Sequence, residues 1–268
     1  MSESEGGQDP RLVRIECTSG VAIVEICRAQ RHNALSSALL TELLAAFGTI
    51  ERRYQPRAVV LAAAGAGAFC SGGDIAEMAA MSDEAAMEYI ALGKACALAI
   101  EALPVPTIAA VHGPALGGGL ELALACDLIV AASSASLGLP EVRLGIIPGF
   151  GGIPRLVRRI GFSRAKTMVL RGNTVKAATA LEWGLVDAAC ETNSVRPLAN
   201  EWAADFARAS TSAITAAKSA LSECGLVDLR GGLHAESTHF RTAFQSVDRT
   251  EGLQAFLSRR SPDFSRTR

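Results

Sequence analysis

The sequence has 268 residues, of which 26 are basic and 27 acidic, so its formal net charge at neutral pH is −1. That balance gives no electrostatic reason to expect nucleic acid or an anionic membrane as a partner. Hydrophobic residues make up 49% of the chain, yet no apolar run reaches the length of a membrane span. Seven cysteines are scattered without a CxxC pair. The composition therefore predicts a cytoplasmic protein with a large core and free thiols, and neither disulfides nor a zinc site.

The first half of the chain predicts a parallel α/β core. Apart from an opening hairpin, its predicted strands are apolar throughout, as parallel strands buried on both faces are. They alternate with helical segments, which is the pattern of strand, crossover helix and strand. In chain order the predicted elements are a hairpin of 11–17 and 21–27, a helix from Ser36 or Ser37 to about Arg53, a strand at 58–63, a helix at 83–102, a strand at 106–112, a helix opened by Gly117–Gly119, and a strand at 127–132.

The second half predicts mainly helices. Residues 133–139 are short and mixed and receive no assignment, whereas Gly149–Gly152 open another helix. From Ser163 onward nearly all of the chain is predicted helical, including 176–183, 195–208, 212–225 and 249–260. We divide the chain into a polar, loose tail (1–10) that does not resemble a signal peptide, an α/β core (11–194) and a helical region (195–268).

Two glycine-rich turns, at 72–73 and 117–119, each follow a predicted buried strand. Glycines let the backbone approach a ligand closely, and a helix N-terminus presents free N–H groups. Neither turn matches a dinucleotide fingerprint or a P-loop. Two backbone amides, one from each turn, could instead hold one carbonyl oxygen as an oxyanion hole. The alternative is that both turns are tight for structural reasons.

Two carboxylates lie in apolar stretches, Glu121 in the first turn of the glycine-opened helix and Glu141 after Pro140. Each has a structural alternative: Glu121 could be a partner of the helix dipole, and Glu141 could belong to a salt bridge or the surface. Placed together, two carboxylates push their pKa values apart, so that one can donate a proton while the other accepts one. We therefore treat them as a candidate acid/base pair.

Together these residues resemble the enoyl-CoA hydratase/isomerase (crotonase) superfamily, from about Val21 to Phe264. The motifs that carry the resemblance are Asn33–Leu35, Ala68–Ile75, Gly113–Glu121, Asp127, Pro140–Glu141, Ile147–Gly152 and the closing Phe256–Phe264. The resemblance implies a crotonase-like ββα-spiral α/β core with a C-terminal helical trimerisation region. It also implies a homo-oligomer, either a trimer or a dimer of trimers.

The resemblance further implies an acyl-CoA thioester substrate and no cofactor, since coenzyme A arrives as part of the substrate. The amides of Gly73 and Gly118 would form the oxyanion hole, and Glu121 and Glu141 match the two glutamates that hydratases of this family use. Substrate-binding residues carried over by motif are Arg31, Ala34, Ser71, Gly73, Asp74, Ile75, Gly118 and Arg259. Leu139 stands where the family often has glutamine, which puts the tuning of Glu141 in question.

The expected reaction is syn addition of water to a 2-enoyl-CoA, and three alternatives stay open. A Δ3,Δ2-enoyl-CoA isomerase would need only one carboxylate and the same oxyanion hole. Some family members resemble RNA-binding proteins, but the near-neutral charge disfavours that class here. A catalytically silent scaffold subunit would not need both glutamates. We expect structural roles for His112, Cys70 and Asp127 and a turn or capping role for the carboxylate of Asp74.

Overall fold

The computed structural model describes residues 11–266, so the predicted tail at 1–10 lies outside the described residues. The strands are β1 (Val13–Thr18), β2 (Val21–Ile26), β3 (Ala58–Ala63), β4 (Thr107–Val111), β5 (Ala115–Leu116), β6 (Leu128–Ala132), β7 (Ser136–Gly138), β8 (Thr174–Lys176) and β9 (Ala188–Cys190). The helices are α1 (Ser37–Thr49), α2 (Ile75–Met78), α3 (Asp83–Glu101), α4 (Gly118–Ala125), α5 (Gly152–Arg171), α6 (Ala177–Trp183), α7 (Val195–Arg208), α8 (Thr211–Cys224), α9 (Leu229–Phe244) and α10 (Val247–Leu257). These bounds confirm the predicted α/β class.

The main sheet has six strands in the order β1-β2-β3-β4-β6-β9. Only β1 and β2 pair antiparallel, as the predicted hairpin, and the remaining pairs are parallel. Every residue of β3 and β4 is buried, because helices cover both faces of a parallel sheet. The continuous apolar runs in the sequence are the direct consequence of that burial.

Helix α1 shows how the local sequence sets a helix boundary. The hydroxyl of Ser36 accepts a hydrogen bond from the Leu39 N–H at 3.2 Å, which satisfies one of the free donors at the helix start. Leu39, Leu43 and Phe47 recur at helical spacing and are buried against the core. The helical path continues as one wider turn, Ile50–Tyr54, so the predicted end near Arg53 is confirmed.

A second, smaller sheet of three strands, in the order β5-β7-β8, was not predicted. Strand β7 lies in the segment left unassigned, and the expectation of nearly continuous helix after Ser163 is wrong at β8 and at β9 of the main sheet. Each of these strands has only two or three residues, too few for an alternating or continuous apolar pattern to show. Their pairing comes from contacts between distant segments.

After Cys190 the regular structure is helical apart from short turns, in line with the predicted change of character near residue 195. Helix α7 packs on strands β3, β4 and β6 through a buried stripe of small residues that includes Ala199 and Ala203. Helices α8 and α9 pack against each other, with α10 beside them. Within residues 11–266, no helix has the length and hydropathy needed to cross a membrane.

Candidate active site

The small sheet brings the two glutamate-bearing segments together. Strands β5 and β7 are parallel, with Leu116 opposite Gly138, and the Gly117 N–H donates to the Gly138 carbonyl at 2.9 Å. Glu121 follows β5 on helix α4, and Glu141 follows β7 in a short 3₁₀ turn, Glu141–Leu144. Because the carboxyl ends of parallel strands meet at one edge, both side chains reach the same cavity.

The first glycine turn lies on the other side of β5. Cys70 forms a bridge to Ala115, through a Cys70 N–H bond to the Pro114 carbonyl (3.1 Å) and a Leu116 N–H bond to the Cys70 carbonyl (3.0 Å). The loop that carries Gly72 and Gly73 is therefore held directly beside the start of α4. The two predicted oxyanion turns lie next to each other.

The backbone pattern shows that the N–H groups of Gly73 and Gly118 are not used in the sheet or helix. Leu35 pairs across Gly73, donating to the Gly72 carbonyl (2.8 Å) and accepting from the Asp74 N–H (2.9 Å). In such a parallel bridge the intervening residue, Gly73, directs its own N–H away from the partner. Gly118 is the first residue of α4, so its N–H has no acceptor within the helix. Both glycines line the cavity.

An aromatic pair supports these two glycines. A Cβ atom on Gly73 would lie 2.8 Å from the Tyr89 hydroxyl, and one on Gly118 would lie 2.9 Å from Cε2 of Phe150. The two rings are buried with centroids 5.5 Å apart, and the Tyr89 hydroxyl donates to the Leu35 carbonyl at 2.8 Å. Neither position therefore has room for a side chain. The sequence analysis missed this pair, because nothing local marks it.

Glu121 is almost fully buried, with 2% of its surface exposed. Its Oε1 atom accepts hydrogen bonds from the backbone N–H groups of Phe150 (2.8 Å) and Gly152 (2.7 Å). Burial raises the pKa of this carboxyl, and the backbone N–H donors oppose the rise by stabilising the ionised form. These donors come from the glycine-rich turn that opens α5. The sequence marked this turn only as the start of a helix.

Glu141 has a different environment, although its side chain is only 9% exposed. Its Oε1 atom lies 3.0 Å from the position that a Cβ on Gly117 would take, and its Oε2 atom is buried without a hydrogen-bond partner among the described residues. Burial, with a smaller contribution from the charge of Glu121, raises the pKa of Glu141 to about 7. The neighbouring Leu139 is buried and offers no amide to this carboxyl.

The rest of the cavity wall is mostly apolar. It includes Met78 and Ile90 from one side and Leu144, Ile146 and Ile147 from the other. Carboxylates enclosed in such a wall lose hydration, which is why burial is the main cause of both pKa shifts. The cavity thus combines two free backbone donors, two carboxyl groups and an apolar surface.

The predicted substrate-binding residues divide into two groups. Ser71 and Ile75 line the cavity beside the two glycines, whereas Arg31, Ala34, Asp74 and Arg259 do not line it. Arg31 is exposed in a 3₁₀ turn, and Arg259 is exposed just after α10.

The carboxylate of Asp74 caps a helix, which is the kind of role expected for it in the sequence analysis. It accepts from the N–H groups of Ala76 (3.2 Å) and Glu77 (3.3 Å) at the start of α2 and forms an ion pair with Arg28 at 2.7 Å. A hydrogen bond from Arg28 is the main reason that the pKa of Asp74 lies below its usual value.

Cys70, Asp127 and His112 do not line the cavity. Cys70 is buried, and burial raises the pKa of its thiol to about 12, so it remains protonated. Asp127 accepts from the N–H and hydroxyl of Thr107 (2.7 and 2.9 Å). It also pairs with Lys218 at 2.8 Å. His112 is partly buried, which lowers its pKa.

Comparison with known proteins extends the likeness over nearly the whole chain. A family model described as enoyl-CoA hydratase/isomerase matches residues 16–267. An enoyl-CoA isomerase/hydratase of Mycosarcoma maydis is 38% identical over 256 residues, covering 92% of this chain and 93% of that protein. The mitochondrial methylglutaconyl-CoA hydratase of Homo sapiens is 39% identical over 249 residues, covering 91% of this chain and 74% of that protein.

A solved structure gives the same result for the fold. The enoyl-CoA hydratase of Bacillus anthracis superimposes with a TM-score of 0.92 at 39% identity, covering 95% of this chain and 99% of that one. This likeness confirms the predicted crotonase-like α/β fold, with its helices at the C-terminal end.

Proposed function

The chain belongs to the enoyl-CoA hydratase/isomerase family, and we propose that it is a hydratase that adds water syn across the 2,3 double bond of a 2-enoyl-CoA. The product would be a 3-hydroxyacyl-CoA. The observation that carries this proposal is the pair of buried carboxyl groups, Glu121 and Glu141, in one cavity beside two free backbone donors.

In this proposal the N–H groups of Gly73 and Gly118 bind the thioester carbonyl oxygen. Negative charge develops on that oxygen as the enolate forms, so donors fixed in place stabilise the transition state more than the substrate. The N-terminus of α4 adds its partial positive charge at Gly118. The aromatic pair Tyr89–Phe150 occupies the space that side chains at these two positions would need.

The two carboxyl groups would then take different roles. The backbone N–H bonds to Glu121 favour its ionised form, so it acts as the base that accepts a proton from water while the water oxygen bonds to C3. Glu141, whose pKa lies near 7, acts as the acid that gives its proton to C2. The cycle ends with Glu121 protonated and Glu141 ionised, and proton exchange restores the starting state.

Four of the other predicted residues would also bind the substrate. Ser71 and Ile75 contact the thioester end, while Arg31 and Arg259 are candidates to bind phosphate groups of coenzyme A at the surface. Water addition transfers no electrons, so the proposal needs no redox cofactor, and the two N–H groups would polarise the carbonyl without a metal ion. The acyl chain would lie along the apolar wall.

The second candidate function is a Δ3,Δ2-enoyl-CoA isomerase. One carboxyl group with a pKa near 7, such as Glu141, could move a proton between C2 and C4 while the oxyanion hole holds the enolate. The relative from Mycosarcoma maydis carries both activities in its name. Hydratase is the better proposal because isomerisation leaves the second buried carboxyl, Glu121, without a role.

A pair of substrates separates the two reactions. Hydration of crotonyl-CoA removes the conjugated double bond, so its absorbance falls and the product gains the mass of one water. Isomerisation of 3-hexenoyl-CoA creates conjugation, so its absorbance rises. Turnover of 3-hexenoyl-CoA without turnover of crotonyl-CoA would replace the hydratase proposal with the isomerase. A salt-dependent gel shift with RNA, in the absence of either activity, would favour the RNA-binding alternative.

We also propose that the protein is a trimer or a dimer of trimers in the cytoplasm. Helices α8, α9 and α10 expose large apolar side chains, among them Leu221, Leu229, Leu233, Phe240, Phe244, Phe256 and Leu257. A stable monomer rarely leaves such a surface in water. All seven cysteines have free thiols, and free thiols are typical of proteins in a reducing compartment.

A further inference from the structure

A second cavity adjoins the candidate active site and contains one cationic side chain, Lys94. Resting on the hydratase function proposed above, we propose that Lys94 binds a carboxylate at the far end of the acyl group. The preferred substrate would then be a 2-enoyl-CoA whose acyl chain ends in an acid rather than in a methyl group.

The two cavities share part of their walls, which makes the second one a natural extension of the first. The shared lining residues are Met78, Ile90, Ile146, Ile147 and Gly149. An acyl chain held by its carbonyl at Gly73 and Gly118 could therefore pass these side chains and enter the second cavity. The end of the chain would be recognised there.

The chemistry of the second cavity favours an acid at that end. Among the residues that line it, Lys94 is the only one with a charged or polar side chain. The others are glycine, alanine, proline and apolar residues, such as Met87, Val142 and Ile153. Lys94 itself is exposed, so an ion pair there would keep contact with water, and the apolar residues beside it would strengthen the pair only modestly.

Lys94 lies on the face of α3 that lines the second cavity. Ala86, Ile90 and Lys94 are spaced by four residues, lie on one face of the helix and all line the second cavity. Lys94 is one helical turn beyond Ile90, about 6 Å along the axis. A lysine side chain is long enough to cover that distance.

Lys94 also differs from the other lysines in its partners. Lys218 is paired with Asp127 (2.8 Å), Lys176 donates to Ser136 (2.8 Å), and Lys166 lies over the ring of Phe162. Within residues 11–266, Lys94 forms no salt bridge and no side-chain hydrogen bond. Its ammonium group is therefore available to an anionic ligand.

The test compares substrates of equal chain length that differ only at their end. Glutaconyl-CoA is compared with 2-pentenoyl-CoA, and 2-hexenedioyl-CoA with 2-hexenoyl-CoA, and kcat/KM is measured for each. The readout is the acid-to-methyl ratio, which is kcat/KM for the substrate that ends in a carboxylate divided by kcat/KM for the substrate that ends in a methyl group. The variants are Lys94→Met, which keeps the length of the side chain, Lys94→Gln, which keeps polarity, and Lys94→Arg, which keeps the charge.

We expect Lys94→Met and Lys94→Gln to lower the acid-to-methyl ratio by at least about fivefold in one or both pairs, and Lys94→Arg to retain most of it. A fivefold loss in the ratio corresponds to the upper end of the free energy contributed by an exposed ion pair. Loss of a hydrogen bond to a charged group would lower the ratio further. The ratio in the unmodified protein should also fall as salt is added. Lys166→Met is the matched control, because Lys166 lines neither cavity.

An unchanged ratio in Lys94→Met and Lys94→Gln for both pairs would overturn the proposal, and so would an equal loss in Lys166→Met. Binding of the saturated analogues glutaryl-CoA and valeryl-CoA, measured by calorimetry, separates this result from a failure of the hydratase proposal. If no enoyl-CoA is hydrated but Lys94→Met still weakens the binding of glutaryl-CoA more than that of valeryl-CoA, the carboxylate site stands and the proposed reaction must be revised. If Lys94→Met weakens both analogues equally, the site is refuted.

Discussion

The pKa of Glu141 leads to the sharpest prediction about this protein. If Glu141 donates the proton to C2, only its protonated form is active, and its pKa of about 7 places the loss of activity within the range of ordinary assays. Glu141→Gln keeps the size of the side chain but cannot donate this proton. We expect it to slow hydration by at least about 10²-fold, the lower end for a lost acid or base.

The size of the pH effect follows from the titration. The protonated fraction of a group with a pKa of about 7 falls from about one half at pH 7 to about one hundredth at pH 9. The kcat/KM of the unmodified protein should therefore decrease roughly fifty-fold over that interval, since kcat/KM reports groups of the free enzyme. The residual activity of Glu141→Gln should lack this decrease.

The same shift also predicts a change in stability. The pKa of Glu141 in the folded state is above its ordinary value of 4.5, so between these values the folded state binds more protons than the unfolded state. The raised pKa contributes roughly 3 kcal/mol to the free energy of unfolding. This contribution is present in full below about pH 4.5 and is lost as the pH rises through 7. Glu141→Gln should remove this part of the pH dependence.

Two measurements check the prediction. Initial rates of crotonyl-CoA hydration from pH 6 to 9 give the activity profile, and urea unfolding at pH 5 and pH 8 gives the free energy of unfolding of both proteins. A flat profile of kcat/KM in the unmodified protein would refute the acid role. A Glu141→Gln protein with the same alkaline decrease would show that another group causes it.

Three other predictions test the rest of the site and the assembly. Glu121→Gln should slow hydration by at least about 10²-fold without unfolding the protein, because the amide oxygen can still accept hydrogen bonds from the N–H groups of Phe150 and Gly152. Near-normal rates with unchanged circular dichroism would exclude Glu121 as the base. Gly118→Pro removes the N–H and also places a Cβ 2.9 Å from Phe150, so it should cost about 3 kcal/mol or more of transition-state stabilisation; full activity in a folded protein would exclude this amide. Gly118→Ala keeps the N–H and should be milder than the proline, although its methyl group would lie 2.9 Å from Phe150 and slow the reaction by displacing that ring. Light scattering at micromolar concentration should report a trimer or hexamer, and a stable monomer would contradict the role proposed for α8–α10.

The sequence predicted most of the long elements because their signals are local. The buried strands β3, β4 and β6 are continuous apolar runs, and Ser36 caps α1 through its own hydroxyl. The glycine triplet before Glu121 also marked the start of α4, and the structure confirms that start. In each case the residues that decide the structure lie within a few positions of one another.

What the sequence could not determine is how the two carboxyl groups meet and differ. Glu121 and Glu141 line one cavity because β5 and β7, strands of two and three residues, pair side by side, and strands so short leave no periodic pattern. The two backbone donors to Glu121 come from Phe150 and Gly152, about thirty positions away, while Oε2 of Glu141 has no hydrogen-bond partner in the described part of the chain. The sequence alone thus determined the kind of fold and the pair of candidate residues. Only the tertiary structure decided their separate environments, because burial and long-range hydrogen bonds, which set the pKa of each group, exist only in the folded chain.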